Sequence, residues 1–139
     1  MPFSVSQSSF QEPIDGSTTF TITITRSLFQ DAENAYFYLL NGDYFSVYGT
    51  AASADFVGFE TSQTRGLHFE NIHFAAGESS VTRSFTIASD AIVEATETFT
   101  IRISSATNYN GTSDVVASIL DAPVTTLSIN NVTVSALFV

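Results

Sequence analysis

From Thr19 to Thr25, Phe20, Ile22 and Ile24 alternate strictly with four threonines. A period of two puts the apolar side chains on one face and the hydroxyls on the other. That is the pattern of a β-strand with one buried and one wet face. Asp15-Gly16, just before the run, is a tight-turn dipeptide. A chain containing such a segment needs a second layer against which to bury the Phe/Ile face.

The rest of the sequence supplies that layer in the same form. Phe3-Ser4-Val5-Ser6 alternates, and Pro13 interrupts the segment after it, as expected at a sheet edge. Ala35 to Leu40 is a continuous apolar run with two Tyr, ending at the turn signal Asn41-Gly42. Tyr44 to Tyr48, Leu67 to Phe74 and Val81 to Ile87 are further strand candidates, the last two joined through Ala76-Gly77-Glu78. Thr98 to Ile103 places Phe99, Ile101 and Ile103 on one face, and Val115 to Leu120 follows the Asn110-Gly111 turn. No segment sustains a helical period; Asp90 to Glu97 is at most a turn or a short helical piece. Seven or eight short strands at regular spacing predict an all-β sandwich of antiparallel strands.

The chain is long enough for one domain with a core of its own: 139 residues, 44% hydrophobic, with thirteen Phe and five Tyr. The expected division is a sandwich over residues 1–123 and an apolar tail over 124–139. The tail carries Leu127, Ile129, Val132, Val134, Leu137, Phe138 and Val139, is split by Asn130-Asn131, and has no charged side chain. It reads as an extra strand, either extending its own sheet or pairing with a partner's edge.

Charge and cysteine content exclude several functions. Net charge is −10, with four Arg and no Lys. Nucleic acid and anionic membrane surfaces both require a basic face, so neither is an expected partner. No apolar run approaches the roughly 20 residues that span a bilayer. Without Cys, disulfides, thiolate metal sites and Cys nucleophiles are impossible. Met1-Pro2-Phe3-Ser4 has neither the basic nor the apolar region of an N-terminal signal peptide.

No catalytic constellation emerges. No Ser lies in a Gly-x-Ser-x-Gly elbow, and no Gly-rich loop is built to cradle phosphate. His68 and His73 are the only histidines, too few for a zinc site without Cys, and they read as solvent-facing residues of one strand. Asn110-Gly-Thr112 and Asn131-Val-Thr133 fit the glycan acceptor pattern but read as turns in a Thr-rich chain. The expected protein is therefore not an enzyme.

Three stretches, in order, resemble the Calx-beta family. They are Gly49-Thr-Ala-Ala-Ser-Ala-Asp55-Phe56, then Gly66-Leu-His-Phe69 leading to Ala76-Gly77-Glu78, then Ser89-Asp90-Ala-Ile-Val-Glu94-Ala-Thr-Glu97-Thr-Phe99. Ala117-Ser-Ile-Leu-Asp121 is similar to the strand that closes the family's domain. The resemblance spans roughly Ser8 to Asp121 and implies an immunoglobulin-like sandwich of Calx-beta type. It also implies calcium ligands at one end of the sandwich: Glu12, Asp55, Asp90, Glu94 and Asp121. Calcium takes six to eight hard oxygens, which clustered carboxylates provide. Ser89, Ala91 and Ala122-Pro123 stand where calcium-binding members carry further acids, which points to one ion completed by water and backbone carbonyls. Glu97, in alternation with Phe99, reads as a strand-start residue rather than a ligand.

Two functions follow as expectations. The first is a structural or interaction module of a virion (head decoration, neck or tail accessory) or a surface assembly, acting by protein–protein contacts or self-assembly. The second is a calcium-binding module of an exported bacterial adhesin. The corresponding locations are the virion and the extracellular surface.

Overall fold

A computed structural model describes residues 2–27, 31–40, 55–58, 67–89, 95–106 and 111–122. Eight strands are formed among them: β1 (Phe3–Val5), β2 (Ser9–Gln11), β3 (Ser17–Arg26), β4 (Glu33–Leu40), β5 (His68–Phe74), β6 (Ser80–Ala88), β7 (Glu97–Ser105) and β8 (Thr112–Leu120). They make a three-stranded sheet, β1-β3-β6, and a five-stranded sheet, β2-β8-β7-β4-β5. This is the all-β sandwich that the strand periodicity predicts, of the immunoglobulin-like type that the family resemblance implies. No helix among the described residues is long and apolar enough to cross a membrane. The Tyr44–Tyr48 candidate, the Asp90–Glu94 stretch, both glycan-pattern asparagines and the tail from residue 124 lie outside the described residues.

The period-two run forms β3 as expected. Ile22 and Ile24 are buried, while Thr19 and Thr21 face out. β3 pairs with β6 over nine consecutive positions, from Ser17↔Ala88 to Thr25↔Ser80. Their shared outer face is a ladder of hydroxyls: Thr19 bonds Thr86, and Thr21 bonds Ser84, both at 2.7 Å. The outer face of the five-stranded sheet has Tyr36 and Tyr38 of β4 packed on Phe69 of β5, at ring distances of 5.5 and 5.1 Å.

One pairing departs from the antiparallel expectation: β2 and β8 run parallel, Phe10 opposite Ile119. The reason is local. The chain leaves β1 at Ser6, crosses to the other sheet at Gln7-Ser8 and continues in the same direction as β2. β8 already runs that way. Pro13, as expected, follows an edge strand.

The inner faces meet in a core of aromatic rings. Phe10 lies 5.1 Å from Phe20 and 5.0 Å from Phe85, both edge-on, and 6.0 Å from Phe99. Phe56 adds edge contacts to Phe99 at 5.4 Å and to Phe85 at 6.0 Å. Such geometries bring the positive ring edge to the negative ring face, worth about 0.5–1.5 kcal/mol per pair beyond burial. This cluster joins the two sheets near the end where β2, β6 and β8 finish and β3 and β7 begin.

On the outer face, Arg102 of β7 makes a two-pronged pair with Asp114 of β8, Nε to Oδ1 at 2.7 Å and Nη2 to Oδ2 at 2.8 Å. Both side chains keep contact with water, so solvent screens the pair. A double-mutant cycle in urea (R102A, D114A and both) is expected to give a coupling of about 0.2–1 kcal/mol. A coupling near 3 kcal/mol would mean that the pair is far less hydrated than its exposure indicates.

Candidate functional site

The proposed calcium ligands sort by strand end. Glu12 follows β2 directly and is 5% exposed. Its amide donates to the Leu120 carbonyl at 2.9 Å. Gln11 reaches across with Nε2 to the carbonyls of Leu120 at 3.3 Å and Asp121 at 2.5 Å. The parallel β2–β8 pairing therefore delivers Glu12 and Asp121 side by side. An antiparallel pair would have sent them to opposite ends.

Asp55 reaches the same end by another route. Phe56 bridges Ile87 near the end of β6, and the Val57 amide donates to the Thr86 carbonyl at 2.9 Å. Burial of the Phe56 ring among Phe85 and Phe99 anchors that segment. Ser89 closes the arrangement. Its amide donates to the Gly16 carbonyl at 2.9 Å and its hydroxyl to the Ile14 carbonyl at 3.0 Å. The loop after Glu12 is thus tied to the residue that precedes Asp90. Gly16 holds φ at +67°, a conformation favouring glycine, which explains the Asp15-Gly16 turn.

Glu12, Asp55 and Asp121 thus belong to segments that meet at one end, while Asp90 and Glu94 lie outside the described residues. Among the described residues, no three acidic or histidine side chains are grouped closely enough to hold a metal ion. Glu97 opens β7, as its alternation with Phe99 indicates.

The histidines differ from expectation. Five residues apart on one strand, they point to opposite faces. His73 faces out and its Nδ1 lies 2.7 Å from Asn34 Oδ1. His68 lies on the opposite face, with Nε2 2.5 Å from Glu70 Oε2. Glu70 Oε1 in turn lies 3.0 Å from Nε of Arg83 on β6, and Arg83 Nη2 donates to the Asn71 carbonyl at 3.1 Å. This cluster laces β5 to β6, the facing edges of the two sheets.

A second polar cluster, at the opposite end, is buried. Arg26, 1% exposed, donates from Nε to the Glu78 carbonyl at 2.8 Å and from Nη2 to the Ala75 carbonyl at 3.0 Å. Its Nη1 serves the Asp31 carbonyl at 2.5 Å and Glu33 Oε1 at 3.3 Å. The guanidinium also lies over the Phe74 ring, 4.8 Å from its centre. The Ser105 hydroxyl donates to the other Glu33 oxygen. The network links β3, β4, β7 and the turn after β5.

No family model matches this sequence, and no curated protein matches it. Solved structures do match in fold. The calcium binding domain CBD12 of CALX1.1 superposes with a TM-score of 0.57 at 16% identity, over 87% of this chain and 44% of that one. CBD12 from CALX1.2 gives 0.56 at 16% identity with the same coverage, so this chain spans less than half of either. The apo form of the Calx CBD1 domain gives 0.55 at 14% identity, over 87% of this chain and 96% of that one. The sandwich is Calx-beta-like in fold.

Proposed function

We propose that this chain is a non-enzymatic structural module acting by protein–protein contacts, in a virion or a bacterial surface assembly. The observation that carries the reading is where its charge is not. On a chain of net charge −10, the outward-facing residues of the described strands carry no net charge on either sheet. β3 and β6 present Ser17, Thr19, Thr21, Thr23 and Thr25 opposite Ala88, Thr86, Ser84, Thr82 and Ser80. Across β7 and β8 the register leaves only Arg102 and Asp114 charged on the outer side, and they neutralise each other. Val116, 66% exposed, adds apolar surface there. Two copies of an acidic body repel unless they meet through such surfaces. The uncharged tail over 124–139 extends the pattern.

Sedimentation of the full-length protein tests this reading. Oligomers are expected at micromolar concentration, together with a folded, soluble monomer once residues 124–139 are deleted. A strictly monomeric full-length chain counts against self-assembly, and an unfolded deletion product assigns the tail to the domain's own stability.

A second reading, a calcium-binding module of an exported adhesin, is supported by the convergence of the Glu12, Asp55 and Asp121 segments on the end reached by Ser89. If Asp90 and Glu94 join them, calorimetric titration of the full-length protein yields heat, and the melting temperature rises at millimolar calcium. At a free concentration a hundred times Kd the stabilisation is about 2.7 kcal/mol. D121N is expected to weaken this response. No heat and no rise in melting temperature remove the calcium reading.

A further inference from the structure

We infer that the uncharged segment 124–139 of one copy adds as a strand to the open edge of β3 in a second copy. This rests on the assembly reading above and names the surfaces that would carry it. β3 is covered by β6 along its length, but by β1 only at Ile24, Thr25 and Arg26. Just beyond, Ser6 donates its amide to the Thr23 carbonyl at 2.9 Å, and its hydroxyl accepts from the Thr23 amide at 2.9 Å. The chain then leaves for the other sheet. Since backbone groups alternate in direction along a strand, Thr21, Thr19 and Ser17 turn their N–H and C=O groups to the same side as Thr23. No described strand pairs with them there.

An open edge is a template for strand addition, and proteins usually blunt it with charge, Pro, a bulge or brevity. The other edges among the described strands are short or blunted, β1 being only three residues long. β5 and β6 are laced by Arg83 and Glu70, and Arg83 itself occupies the Asn71 carbonyl. β2 is three residues long and is followed by Pro13. Among the described strands, β3 alone offers an open edge as long as Ser-Thr-Thr-Phe-Thr, residues 17–21, with no charge, no Pro and no bulge against β6.

The occupant must be extended and uncharged. Residues 124–139 are sixteen positions without a charged side chain, and Leu127-Ser128-Ile129 and Val132-Thr133-Val134-Ser135 alternate as strands do. Attachment within one copy is disfavoured on two counts. The chain leaves β8 at the end where β3 begins, so its own tail would add in parallel, the slightly weaker pairing. It would also have to cross the Glu12–Gly16 connection, which spans from β2 to β3 at that end, and connections at one sheet edge avoid crossing. A neighbour's tail meets neither constraint.

The test uses the full-length chain. Thr21→Pro removes one open-edge N–H that β6 does not use, at a position where an edge tolerates Pro. Its expected effect is a rise of about tenfold or more in the dissociation constant for self-association, with native circular dichroism. Because the chain has no Cys, cross-linking gives an independent reading. A Thr19→Cys protein is mixed with single-cysteine proteins bearing Thr126→Cys, Ser128→Cys, Thr133→Cys or Ser135→Cys, then oxidised. Disulfide-linked dimers between edge and tail variants are expected. If the wild type assembles while T21P assembles equally well, or no edge–tail disulfide forms, the edge assignment falls and assembly stands. A disulfide that forms within a Thr19→Cys/Ser128→Cys double variant, with none between the mixed single-cysteine proteins, overturns the exchange between copies. A monomeric wild type removes the assembly reading itself. Should T21P fail to fold, the mixing experiment decides.

Discussion

Replacing Arg26 with Ala is expected to lower the unfolding free energy by about 3–5 kcal/mol, the range seen when one partner of a buried ion pair is removed. That is a large share of the total stability of a small domain. The cost arises in what the substitution leaves behind. Glu33, 2% exposed, loses its positive partner, and the carbonyls of Asp31, Ala75 and Glu78 each lose a charged donor. Buried groups left in this way pay their desolvation without return. The Phe74 ring loses the cation stacked on it. R26M/E33L, which removes both charges and keeps much of the volume, is expected to recover part of the loss. Recovery stays partial because the three carbonyls remain without the guanidinium. Urea denaturation of the three proteins checks this. An R26A midpoint corresponding to less than about 1 kcal/mol of destabilisation would mean that water replaces the guanidinium, and the network would not be the fastening described here.

This network was not among the expectations drawn from the sequence, although the rule that found the strands points to it. Arg26 continues the inward series Phe20, Ile22, Ile24, and Glu33 precedes Ala35, Phe37 and Leu39 in step. Opposite charges, each in the buried register of its own strand, have to find one another or remain unpaired. Arg83 and Glu70 follow the same parity beside Phe85 and Ile72. Parity also separates His68 from His73, which were expected together on the solvent face of one strand. Strand existence was legible because burial of one face imposes a period that local residues carry. The parallel β2 was not: three residues, Ser9-Phe10-Gln11, cannot express a period, and their direction is set by the crossing at Gln7-Ser8. The candidate site was legible only as acids ordered along the chain. Their meeting depends on that same crossing, because β2 and β8 must finish at one end for Glu12 to adjoin Asp121.

Replacing Phe10 with Ala tests that dependence, with an expected destabilisation of about 3–5 kcal/mol. Phe10 is fully buried, and its ring contacts Phe20 and Phe85 of the three-stranded sheet and Phe99 of the five-stranded sheet. It is the only apolar side chain of β2. Three residues of parallel ladder hold little by themselves, so the ring fixes β2 against β8 as much as it fills the core. The loss is therefore expected to be local before it is global. The Glu12 amide, bonded to the Leu120 carbonyl, and the Ser118 amide, bonded to the Ser8 carbonyl, report on either side of β2. In F10A their hydrogen-exchange protection should fall well below that of the β3–β6 ladder, through opening of β2 alone. F10L, which keeps part of the volume, should lie between F10A and the wild type in stability and protection. Once β2 detaches, Glu12 no longer adjoins Asp121, so any calcium-induced rise in melting temperature should shrink in F10A even though every carboxylate is still present. An F10A protein with unchanged protection at Glu12 and Ser118 would show that the β2–β8 ladder holds without the ring, and that the acidic end does not depend on the aromatic core beneath it.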